Sequence, residues 1–441
     1  MAENEMTRKV FGHVDLKSEY CWALCFGIFW WILLNPGFYS VDSLDLLRRI
    51  ESRQLTSEWT FIWELCVFLI SIGGNYPSLV TLFFALTLNL SIAYLVRSIV
   101  SKQKSLVISL LMFNCPAISF FGITLWHDVP MTAGLVFLSG SWIRFSKSTS
   151  LNSTLQWFAS SLVMFRHNGV WTAISLCVLG VVTFRKQIRK FAKYFVIPII
   201  SLGLSTMFVN ANTFQSENVQ VTGLTSWMKY DIACWLSNEQ NQVERLRAAE
   251  RLEVIDLESL ESKDSCYWFL LPDQVQHWSN VDQSRILNTW LFILKQEPMK
   301  IIEIHSQRNA YLLPNPINLP VRPPFLHTNI EFANPYVVPT FPAIYENVRS
   351  LGRVWNYLGP LTGYAGIWLL ILFMVQWHIR EFRVIFFIAL ILNLTIFVAA
   401  IIPDVRFVMY TIIAGYISLI LTVGKMRELY LSRISVSVGD R

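Results

Sequence analysis

Apolar residues make up 54% of this 441-residue chain and charged residues only 15%, a balance far from that of soluble domains and suited to a lipid bilayer. The net charge of +6 calls for no nucleic-acid partner, because the surplus Lys and Arg lie in short loops between apolar runs, where anionic headgroups attract them. Seven cysteines with no CxxC and no Cys/His cluster at zinc spacing exclude a zinc module as the organising feature.

Ten apolar segments are read as spans, at about 21–36, 77–97, 105–122, 129–145, 152–165, 169–184, 192–209, 355–376, 383–401 and 405–423. The first begins after a polar stretch and ends at Asn35-Pro36-Gly37 rather than at a small-x-small cleavage site, so it is expected to remain as an anchor. With the amino terminus in the cytoplasm, Arg8, Lys9 and Lys17 lie inside. So do Arg97, Lys102 and Lys104, then Arg144 and Lys147, Arg185 to Lys193, Arg380 and Arg383, and finally Lys425, Arg427 and Arg433. Every short basic loop then obeys the positive-inside rule, and the carboxyl terminus is cytoplasmic as well.

That threading requires 58–73 not to cross. The stretch carries Glu58, Glu64 and Gly73-Gly74-Asn75, so it is read as an amphipathic helix lying on the outer surface. The chain thus divides into a transmembrane module over 1–209 with its first outer loop at 37–76, an extracytoplasmic segment over 210–353, further spans over 354–424 and a cytoplasmic tail over 425–441. The expected fold class is an all-α polytopic membrane protein with about ten spans and a mixed, Pro-rich outer segment.

Within that outer segment, 244–252 reads as a charged amphipathic helix, whereas eight prolines between Pro314 and Pro342 predict extended, loop-like chain. Cys234 and Cys266 both lie here, and an oxidising exterior would suit a disulfide between them; free thiols are the alternative. The remaining cysteines fall in apolar helices, where a thiol acts as a small hydrophobe.

The outer turns carry the polar groups. After the first span, Asp42 and Asp45 sit three residues apart, on one face if a helix starts near Ser40; the plain alternative is a helix cap. Asp128 heads the fourth span, followed by Val129-Pro130, again a plausible cap. A carboxylate at this depth is costly unless paired, solvated or bound to a cation. Arg166-His167-Asn168-Gly169 and Asp404-Val405-Arg406 occupy the later turns and offer partners, although Asp404 and Arg406 can also pair with each other.

The order of these motifs resembles the C-type membrane glycosyltransferases, the GT-C fold, which include protein mannosyltransferases and the aminoarabinose transferase of lipid A. Pro36-Gly37-Phe38-Tyr39-Ser40-Val41-Asp42 is similar to the opening of uncharacterised bacterial members, as are Leu125-Trp126-His127-Asp128, Phe165-Arg166-His167-Asn168-Gly169 and Asp404-Val405-Arg406-Phe407. So is Asn288-Thr289-Trp290 leading through Pro298 to Arg308. The resemblance implies transfer of a sugar from a polyprenyl-phosphate donor to an acceptor hydroxyl of a glycan, lipid or protein, on the outer face of a bacterial plasma membrane.

On that resemblance Asp42 is the acceptor-side base, and Asp128 orients substrate or holds a divalent cation, magnesium or manganese. Arg166, His167, Arg308 and Arg406 contact substrate, the arginines being suited to phosphate by their planar, permanently charged forks. The chain departs from the relatives at 58–64, Glu-Trp-Thr-Phe-Ile-Trp-Glu, where they usually show a Trp-His-Pro run. Two further functions stay open. An oligosaccharide polymerase or ligase would use a diphosphate-linked donor at the same face. A lipid or solute transporter would place polar groups in broken helices at mid-depth, and few ionisable residues lie there.

Overall fold

The computed structural model describes residues 18–39, 41–53, 61–148, 153–183, 226–254, 256–262, 266, 277–278, 280–308, 340–343, 347, 365–379, 381–399 and 408–439. Among them the chain is helical, with no strand beyond an isolated bridge between Phe38 and Thr124.

The apolar helices pack side by side. Helix α1 (Ser18–Leu33) lies against α4 (Pro77–Ile99), which packs on α7 (Asp128–Ser148), which in turn packs on α8 (Ser153–Val163). Helix α9 (His167–Thr183) meets α15 (Phe382–Ala399), itself grouped with α14 (Ala365–Gln376) and α16 (Met409–Gly439). Proline at the first position opens α4, and at about 1.5 Å per residue its 23 residues exceed the ~30 Å of a hydrocarbon core. It is long and apolar enough to cross a membrane, and α5 (Lys102–Phe113) with α6 (Pro116–Gly122) makes a second such unit if the two are one span. Apolar faces look outward: Ile28, Phe29 and Ile32 on α1, and Phe387, Leu394 and Val398 on α15, are exposed. Between helices, hydroxyl and amide pairs supply the specificity that apolar packing alone lacks. Ser139 and Tyr410 share a 2.6 Å hydrogen bond, and Asn393 Nδ2 donates to Thr411 Oγ1 at 2.6 Å.

Basic side chains gather at one end. Arg97 pairs with the buried Glu19, Arg144 donates to Ser98 and lies 3.9 Å over the Tyr94 ring, and Lys147 reaches both Ser98 O and Glu381. Among the described residues, the chain near 97–98, 144–147 and 381 therefore meets at this end.

Two expectations need correction. The stretch 105–122 is two helices bent by 72°, because Pro116 has no N–H to continue the ladder; Ser119 Oγ and Trp30 Nε1 both donate to the Phe113 carbonyl at the break. Helix α3 (Phe61–Ile70) does not carry Glu64 on a wet face, because Trp63, Glu64 and Val67 are buried while Leu65 and Leu69 are exposed. Its ten residues, about 15 Å, fall short of a crossing. Among its described residues the outer segment is helical, and the expected extended part falls almost wholly outside them. The tail over 425–439 continues α16 as one helix. The expected span at 192–209 and most of the Pro-rich stretch lie outside the described residues.

The outer segment has a core of its own. Helices α10 (Ser226–Asn238), α11 (Gln242–Leu252), α12 (Gln283–Gln296) and α13 (Pro298–Arg308) enclose Trp235, Trp278, Ile286, Ile293 and Ile304. Asn241 and Asp282 cap α11 and α12 by accepting from Val243 N and Ser284 N. Cys234 and Cys266 are joined in a disulfide with Cα atoms 5.0 Å apart. It closes a 32-residue separation, so Cys234→Ser with Cys266→Ser is expected to cost roughly 2–4 kcal/mol, read as a lower melting temperature that reductant no longer changes.

Candidate functional site

Helix α2 (Val41–Glu51) begins just after the first apolar helix, and the turn before it is clamped onto a distant one. Phe38 N donates to Ile123 O and Leu125 N to Phe38 O, at 3.1 and 2.8 Å. Ser43 Oγ then donates to Leu125 O at 2.6 Å. Asp42 is half-buried in the first turn of α2, one residue from Ser43, and Leu125 lies three residues before Asp128. The two acidic turns are thus neighbours.

Gly37 makes this approach feasible. Its φ of +108° is open to glycine, and a Cβ there would meet the Ile123 carbonyl oxygen at 2.6 Å and Thr81 Cγ2 at 2.7 Å. Gly37→Ala is expected to destabilise the protein by on the order of 1–3 kcal/mol from backbone strain alone, measured by thermal unfolding in detergent. An unchanged melting temperature would mean that the two turns part without cost.

Arg166 arrives from a third turn, between α8 and α9. Its guanidinium bonds to Asp128, which is 2% exposed, and His127 Nε2 stands 3.8 Å from the other carboxylate oxygen. Gly169 N donates to Arg166 O, and a Cβ on Gly169 would overlap the Val163 carbonyl, so this turn too is built around a glycine. Trp63 of α3 closes the group from the side, its ring 6.1 Å from His127 and 5.9 Å from Phe165.

Three of the four predicted turns therefore converge. Asp45 pairs instead with Arg49 on its own helix at 2.8 Å, a partly exposed i,i+4 pair. His167 opens α9 and Arg308 ends α13, but their side chains are not described, and Arg406 lies outside the described residues. The carboxylate that the resemblance offers to a cation, Asp128, is held by a guanidinium, and among the described residues no three His, Cys, Asp or Glu side chains cluster as metal ligands.

A second polar network was not legible in the sequence. Asp231 Oδ2 accepts from Trp290 Nε1 at 2.7 Å and lies 3.0 Å from His305 Nε2, all buried or half-buried. His305 Nδ1 is 2.8 Å from the Phe397 carbonyl of α15, which ties the outer segment to the bundle. Seventy-four positions separate Asp231 from His305, and no local spacing marks the pair.

Nearby on α10, Lys229 is 7% exposed, and among the described residues it has no hydrogen bond or ion pair. Burial holds its ammonium below the ordinary lysine range. Lys229→Met is expected to raise the melting temperature, because a thioether fills similar volume without a desolvated charge; a drop would show the ammonium to be bonded.

The chain matches no protein-family model, no curated protein and no solved structure.

Proposed function

We propose that the protein is a multi-pass membrane glycosyltransferase that moves a sugar from a polyprenyl-phosphate donor to an acceptor hydroxyl at the outer face. The observation that carries this reading is the convergence of the Asp42, Asp128 and Arg166 turns at the end of the bundle away from the basic loops. Asp42 takes the acceptor proton as the acceptor oxygen bonds to the anomeric carbon. The bond from that carbon to the phosphate oxygen breaks, and its electron pair leaves with the phosphate. Arg166 grips the departing phosphate with its planar guanidinium, and Arg406 is the further cation the reaction calls for. Asp128 keeps the guanidinium aimed while no substrate is bound. An isoprenoid tail can stay in lipid while its head enters this group.

The bend between α5 and α6 favours a second reading, since broken spans are a transporter feature. The residues at the break, Asn114, Cys115 and Pro116, include no ionisable carboxylate or base, which leaves the bend without an ion-coupling group. Purified protein incubated in detergent with radiolabelled polyprenyl-phosphate sugar separates the two. Release or transfer of label supports the enzyme, and label left wholly on the donor across a range of acceptors sinks it. A diphosphate-linked donor, used in place of the monophosphate, would assign the polymerase class.

A further inference from the structure

We infer that the α12–α13 hairpin rests on the outer leaflet of the membrane, with α13 continuing the lipid-facing surface of α15. This rests on the multi-pass reading proposed above. Helix α13 buries Ile301 and Ile304 in the outer segment's core and leaves a second face on which Met299 and Ile302, 72% and 46% exposed, stand beside the Lys300–Glu303 ion pair. A helix at a purely aqueous surface keeps that second face polar. Helix α12 repeats the pattern, with Ile286 and Ile293 inside and Leu287 and Leu291 exposed one turn apart.

What covers α13 follows from its contact with α15. His305 bonds to the Phe397 carbonyl, Ile302 lies one turn before His305, and Val398 directly follows Phe397. Val398 is 49% exposed and Leu394, one turn earlier, 57%. The outward apolar strip of α15 therefore ends beside the Met299 and Ile302 edge of α13, which exposed Glu303 and Ser306 border. Lys295 is exposed near the end of α12, with a stem long enough to lay apolar carbons on lipid while its ammonium meets phosphate, and Lys300 across the joint pairs with Glu303 at 3.1 Å. With 11 residues, α13 lies along the surface and does not enter it end-on.

The test places a polarity-sensitive fluorophore on single cysteines at Met299 and Ile302, in protein whose Cys21, Cys25, Cys66, Cys115 and Cys177 are replaced by Ala, in nanodiscs of phosphatidylcholine and phosphatidylglycerol. Leu394→Cys serves as the lipid-facing reference and Glu258→Cys as the aqueous one. A several-fold rise in emission at 299 and 302 over 258, lost with brominated lipids, is expected. Quenching at 394 without quenching at 299 and 302 overturns the inference and leaves the membrane reading standing. No quenching even at 394 overturns both. Bright emission at 299 and 302 that brominated lipid does not quench assigns the face to a protein partner, and the lipid assignment falls.

Discussion

Arg166→Ala is expected to lower stability by roughly 3–5 kcal/mol, because it leaves the almost fully buried Asp128 carboxylate without its cation. The pair's net worth is a separate matter, since bringing two charges out of water offsets most of their attraction. Asp128→Leu combined with Arg166→Met should therefore regain most of what the single change loses, while transfer stays absent. Arg166→Lys should fall between, a point charge replacing a planar fork. Unfolding by denaturant in micelles of the parent, Asp128→Leu, Arg166→Met and the double variant closes a cycle that gives the coupling directly. A loss below about 1 kcal/mol for Arg166→Ala would be the behaviour of an exposed pair and would deny that the turns close around a dry site.

The second large effect is on rate. Asp42→Asn keeps the shape and removes the proton acceptor, so transfer is expected to fall by about 10²- to 10⁴-fold, mainly in kcat, with donor binding kept. Asp45→Asn supplies the control, since its carboxylate is engaged by Arg49, and its rate should stay near the parent's. Full transfer by the Asp42→Asn protein would end the base assignment.

Much of this architecture can be read from the chain because hydropathy and proline act locally. The apolar run at 77–97 became Pro77–Ile99, and that at 129–145 became Asp128–Ser148. What escaped was geometry between distant segments. Hydropathy windows average across Asn114-Cys115-Pro116 and so miss a bend whose freed carbonyl is satisfied by Trp30, 83 positions away. Glu64 reads as solvent-facing by its charge, yet its neighbour Trp63 packs on Phe84, His127 and Phe165 and takes the turn inward. Within the site, the residue types could be named beforehand. Arg166 could be offered as a partner for Asp128, but that Gly37 would let one turn touch another depended on contacts no spacing encodes.

The tie between His305 and Phe397 has a consequence for biogenesis. Ribosomes deliver the outer helices and both half-cystines before the polypeptide reaches residue 382, so under the proposed threading this portion can oxidise and settle outside while α15 is still unmade. The arriving helix then finds an imidazole already waiting at its outer tip, and late insertion is guided by an earlier folding event across the membrane.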